Sequence, residues 1–166
     1  MNSYLERLRQ ELEQATAGAD AARLAAAPAG KWNTAQILEH LLHSYKGTNA
    51  GLNQCLAKGT PSASKPKMKD RFATLLVVGF GYLPEGRNAP ERTIPRGMPL
   101  EEIRPAVASE LKRLAAQMDT CELKFGRRTK LLDHPFIGPL TADQWRKFHL
   151  VHGRHHIRQM LERMKF

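Results

Sequence analysis

Cysteine is scarce, with only Cys55 and Cys121 in 166 residues. The two lie far apart, form no CxxC pair and fall short of a secreted disulfide framework, so both read as reduced thiols. Aromatic residues make up only 7% of the chain, and long apolar runs are missing. The longest nearly uncharged stretch, FATLLVVGFGYLP at 72–84, is too short and too broken by glycine to span a bilayer. The opening MNSYLERLRQELEQ alternates charge with apolar residues at helical spacing and has no apolar h-region, so it reads as helix rather than signal peptide. A cytoplasmic location and no membrane partner are the expectation. HExxH is absent too, which removes the built-in general base of a metalloprotease.

Acidic residues are outnumbered: 16 against 26 Lys and Arg, for a formal charge of +10. Such a balance keeps anionic ligands and nucleic acid in view, because clustered cations neutralise phosphates and release counterions. Clustering is what the chain lacks. KPKMKDR (65–71) and GRRTK (126–130) are short loop runs without aromatic interleaving or a recognisable binding motif. A solvated basic surface is therefore expected, and nucleic acid is not the expected partner. The length fits one domain, 1–166, able to bury on the order of 70% of its unfolded surface.

What the chain has is helical pattern. Residues 3–26 repeat apolar side chains at three- and four-residue steps, with a break expected near Gly18 and an end before Pro28. A second helix opens at Asn33, an N-cap with Gln36 as its capping-box partner, and runs to about Leu56 before Gly59 and Pro61. A short segment covers roughly 68–80. The proline- and glycine-rich stretch 83–99 reads as a long connection. Helix resumes at 100–121, with Pro99 at its start and Pro105 near its first turns. The last helix opens at Thr141, with Gln144 as reciprocal cap, and continues almost to the C-terminus. No convincing strand pair is legible. The expected fold is all-α: a four-helix bundle with a long crossover between the second and third main helices.

Histidine is concentrated at one place. Four of the seven, His149, His152, His155 and His156, fall within HLVHGRHHIRQ at 149–159. At about 100° per residue, Trp145, His149, His152, His156 and Gln159 share one stripe where a core helix should carry leucine, while His155 points elsewhere. On the second helix His40 lies beside inward Ile37 and Leu41. Ser44, Thr48 and Gly51 continue its face, and a cavity lined by these small residues follows from the space they leave. His43 falls on the flank.

His152 and His156, one helical turn apart, can present two nitrogens to one ion, and His40 from a facing helix can add a third. Neutral imidazole suits zinc, nickel and ferrous iron, and three protein ligands plus water is the catalytic pattern. Core histidines paired to backbone or carboxylates are the other reading of the same spacing. His149, Gln159 and Ser44 are candidates for orienting the ligands or a metal-bound water. His134, before Pro135, is expected to shape a turn, with closure over the pocket mouth as the other reading.

Trp32, Gln36, His40 and Leu41 (WxxxQxxxHL), with His152, His155, His156 and Gln159 (HxxHHxxQ), resemble the DinB/YfiT-like superfamily of four-helix-bundle metalloproteins. The segment HPFIGPLTxxQW at 134–145 resembles a less characterised branch of it. The resemblance implies the same metal ligands, His40, His152 and His156, and a homodimer. It also implies a thiol-dependent activity, since the superfamily's known members include transferases using bacillithiol, mycothiol or glutathione, and a maleylpyruvate isomerase. On that basis the expected function is that of a metal-dependent small-thiol S-transferase acting on an electrophilic substrate. Arg146, Arg154 and Arg158 are near enough in sequence to attract a thiol cofactor's carboxylates. A non-catalytic metal-binding module, or a basic nucleic-acid-associated one, is the alternative. Cys55, about 22 Å of helix beyond His40, reads as a small buried hydrophobe rather than a nucleophile.

Overall fold

The computed structural model describes residues 3–84 and 88–166. These residues are mostly helical: α1 (Ser3–Thr16), α2 (Ala21–Ala25), α3 (Thr34–Lys58), α4 (Met68–Thr74), α5 (Leu100–Phe125) and α6 (Ala142–Arg163). Local chemistry sets the ends. After α1, Gly18 takes a positive φ of 67°, where a side chain would be strained, and Asp20 then caps α2 by accepting from the Arg23 N–H. The expected break near Gly18 is there. The reciprocal bonds expected at Asn33 and Gln36, and at Thr141 and Gln144, are both present. Gly59, in the left-handed conformation, closes α3.

α3 lies along α5 and α1 along α6, with further contacts between α1 and α5, α3 and α6, and α5 and α6. The core between them is built from apolar stripes such as Leu5, Leu8 and Leu12 on α1, Leu41, Tyr45 and Leu52 on α3, and Leu111, Leu114 and Met118 on α5. Close approach of α1 and α6 depends on Gly153, where an added Cβ would stand 2.2 Å from Leu8 Cδ1. Arg146, 1% exposed, ties α6 to α5 through ion pairs with Asp119 (2.6 Å) and Glu122 (3.0 Å). Among the described residues no helix is long and apolar enough to cross a membrane.

Two features depart from the sequence expectation. A short antiparallel hairpin, β1 (Leu132–His134) with β2 (Gly138–Leu140), pairs Leu132 with Leu140 and His134 with Gly138. Three residues per strand are too few to show a period of two, and Pro135 and Pro139 hide the pairing further. The other is the crossover. Residues 85–87 of it lie outside the described residues, but Glu91–Thr93 form a 3₁₀ turn, and the backbone N–H groups of Arg96, Gly97 and Met98 all donate to the buried Glu39 carboxylate, at 2.8, 3.0 and 3.1 Å. Burial raises the Glu39 pKa, but these bonds outweigh it and leave the carboxyl below its ordinary range. One side chain on α3 therefore clamps the crossover onto the helix that carries His40. In addition, α4 runs directly into a π-helical turn, Leu75–Gly79, over the span expected as a short segment.

Candidate metal centre

Three imidazoles from two helices converge. His40 comes from the second turn of α3, and His152 and His156 from adjacent turns of α6. One ligand nitrogen from each lies within 4.8 Å of the others. His40 Nε2 is 3.4 Å from His152 Nε2, and His156 Nε2 is 3.0 Å from His152 Nε2. Nitrogens sharing a tetrahedral ion at 2.0–2.1 Å stand about 3.3 Å apart, so the spacing fits a common divalent ion. His40 and His156 are 9% exposed or less.

The far side of each ring explains its aim. His40 Nδ1–H donates to the Thr93 carbonyl at 3.0 Å, which leaves Nε2 as the lone-pair nitrogen facing the cluster. His156 Nδ1–H donates to Gln159 Oε1 at 2.8 Å, and Gln159 Nε2 donates in turn to His155 Nε2 at 3.2 Å. Such outer partners fix tautomer and ring orientation in histidine metal sites. Among the described residues His152 Nδ1 is buried without a partner. That ring is held by packing, stacked on Phe148 at a centroid distance of 5.4 Å and 13° between planes.

Burial keeps the cluster neutral. It lowers the His40 pKa against the opposing Thr93 bond, with the charge on His43 adding to the effect. It lowers His152 well below the ordinary range, helped by its histidine neighbours, and brings His156 down to about 3. An uncharged imidazole is the form that binds a metal, so the site is prepared for a cation at neutral pH.

The cluster lines a cavity of about 760 Å³, within the size range of small-molecule sites. The expected stripe, Trp145, His149, His152, His156 and Gln159, all faces it. His155, expected to point elsewhere, lines it as well. Ser44, Thr48 and Gly51 border the cavity, but the space over Gly51 is filled: an added Cβ there would meet Leu132 Cδ1 at 2.8 Å. The hairpin missed in the sequence supplies that side chain. Ser44 Oγ donates to its own helix at the His40 carbonyl (3.1 Å) rather than to a ring. His149 lies one turn from His152 and bonds Thr48 Oγ1 at 3.2 Å; burial depresses its pKa to about 3. His43 stands 3.4 Å from Glu39.

Two residues, Thr93 and Glu39, went unseen in the sequence, and a third, His134, has both of the roles open to it. Thr93 acts through its backbone carbonyl, for which no side-chain pattern exists. Glu39 precedes His40 directly, and EH at 39–40 was its only signal. His134 does accept the Phe136 N–H (3.2 Å) in the turn expected of it, but it also lines the cavity. Its ring packs 4.4 Å from that of Phe148, and burial, reinforced by the Arg92 charge, lowers its pKa to about 4.

The arginines expected to serve the cavity do other work. Arg146 is buried in its ion pairs with α5 and Arg154 pairs with Glu11 at 2.6 Å. Arg158 is exposed and outside the cavity wall. Among the described residues the cations that do line it are Lys31, Arg92 and Arg163.

A family model described as Protein of unknown function (DUF1569) matches residues 5–163 of the chain. No curated protein and no solved structure matches it.

Proposed function

This chain belongs to the DUF1569 family, and from that premise we propose a divalent-metal-binding protein of the DinB/YfiT-like four-helix-bundle type, working as a metal-dependent enzyme on small thiols. The observation that carries the reading is the convergence of the His40, His152 and His156 ligand nitrogens within 4.8 Å on the wall of a ligand-sized cavity. Zinc, nickel and ferrous iron all suit a three-imidazole set, and three protein ligands leave a position open towards the cavity.

The chain's own residues do the positioning. The Thr93 carbonyl and Gln159 hold the His40 and His156 tautomers, Phe148 fixes the plane of His152, and Trp145 and Phe148 wall the site with apolar surface. When bound, a divalent ion supplies Lewis acidity that lowers the pKa of a thiol at the open position, so that a nucleophile is available near neutral pH. Neither buried cysteine lines the cavity, so the sulfur in this proposal comes from a diffusible thiol. The electrophilic substrate and a homodimer belong to the same proposal through the DinB/YfiT-like resemblance.

Metal analysis of untagged protein tests the site: about one equivalent per chain, lost in His40→Ala and in His152→Ala. The enzyme reading is tested with 1-chloro-2,4-dinitrobenzene and a panel of low-molecular-weight thiols. Turnover that needs the metal and disappears in His152→Ala is the expected result. A rate indifferent to both sinks the enzymatic reading even where the metal binds.

A further inference from the structure

The cavity wall is chemically divided. Phe72, Leu76, Val77, Tyr82, Leu132 and Phe148 give it an apolar portion, and among the described residues Lys31, Arg92 and Arg163 give it three cations. Lys31 and Arg92 are each next in the chain to a residue that touches the imidazole cluster, and Arg163 lies one helical turn from one of its supports. Lys31 precedes Trp32, whose ring lies 5.3 Å from that of His40. Arg92 precedes Thr93, the acceptor for His40 Nδ1–H. Arg163 is one turn beyond Gln159, the acceptor for His156 Nδ1–H.

None of the three has an ion-pair partner among the described residues, and the Arg163 Nε is buried without a hydrogen-bond acceptor. Among the described residues the lining contains one carboxylate, Asp133, which accepts the Ser64 N–H at 3.0 Å. Arg92 and His134 both line the cavity, and the Arg92 charge lowers that ring's pKa; Arg92 and Lys31 are exposed, and Arg163 is half-buried. Unpaired cations beside low-dielectric walls concentrate positive potential, and a buried donor without an acceptor is a cost that a bound anion removes.

We infer that the cavity takes an amphipathic carboxylate, its anionic group held by Arg92 and Arg163 with Lys31 at the rim and its aromatic or aliphatic body against the Phe72 to Phe148 wall. The guanidinium fork matches a carboxylate in plane and charge. This deepens the proposed metal-enzyme reading by naming the class of substrate, and rests on it only for the reaction: the cations bind whether or not an ion is present.

The test is calorimetric titration of the ω-phenyl carboxylates from phenylacetate to 6-phenylhexanoate, each beside its primary amide, into zinc-loaded and chelator-treated protein. The variants are the double change R92Q/R163Q and K31Q, with folding checked by circular dichroism. The best acid should bind about tenfold more tightly than its amide with or without zinc. That preference should vanish in R92Q/R163Q while amide affinity holds, and K31Q should reduce it only in part. No binding by any acid, equal affinity for acid and amide, or a preference that survives R92Q/R163Q overturns the inference. A preference seen only with zinc assigns the carboxylate to the ion, overturning the cationic subsite while supporting the metal reading. A preference in protein that takes up no zinc does the reverse.

Discussion

Two of the three clustered histidines have their second ring nitrogen taken by another group. For His156 that is Gln159, and the amide is shared with His155, so a single side chain sets two rings. Gln159→Leu should keep the fold and weaken metal affinity about 10- to 100-fold, measured by competition with a chromophoric chelator. Unchanged affinity would mean packing alone holds the ring. His149 is a buried ring of another kind, bonded to Thr48 and outside the trio. Its folded pKa of about 3 lies below the ordinary value near 6.5, so it stays neutral in the fold while the unfolded chain takes up a proton. The stability it contributes is complete above about pH 6.5 and is lost as pH falls towards 3, by about 1.4 kcal/mol per pH unit. In urea unfolding of metal-free protein between pH 7.5 and 5, His149→Gln should flatten the acid loss by up to that slope. An identical slope in the variant would remove His149 from the account.

At the scale of elements, two glycines do opposite jobs. Gly153 lets α6 meet α1, and the side chain it faces, Leu8, is fully buried with nowhere to move. Gly153→Ala should cost about 1–3 kcal/mol by overpacking, read from chemical denaturation. Gly51 faces Leu132, which is only half-buried and belongs to a short hairpin. Gly51→Ala should cost less than about 1 kcal/mol, with the hairpin shifting outward. Equal costs would show that the hairpin is as rigid as the helix pair. Helix ends were legible because capping chemistry is local: Asn33 with Gln36 and Thr141 with Gln144 make their bonds within three residues. Strand pairing is not local, and β1 and β2 are too short for their pattern to register. That omission led to the cavity being drawn too large at Gly51.

For the whole molecule, the site joins chain segments more than a hundred residues apart and draws Thr93 from the crossover between them. An ion that binds only the folded arrangement stabilises it by mass action. Zinc at a hundred times its dissociation constant adds about 2.7 kcal/mol, so the melting temperature should rise by about 5–10 °C for a domain of this size. The rise should disappear in His40→Ala. A shift that persists there would place the zinc elsewhere on the chain.

The amino-acid order by itself determined where the long helices begin and end, and which three imidazoles can meet. Caps, glycine breaks and the turn-by-turn period of a helix are properties of neighbouring residues. Only the tertiary structure decided what surrounds the trio: the Thr93 carbonyl behind His40, the Glu39 clamp on the crossover, Leu132 over Gly51, and Lys31, Arg92 and Arg163 in place of the nearby arginines. Those partners are chosen by chain segments that meet only after folding, and two of them act through backbone groups that leave no periodic trace. Arg146 and Arg154 were unavailable because Asp119, Glu122 and Glu11 had already claimed their charge.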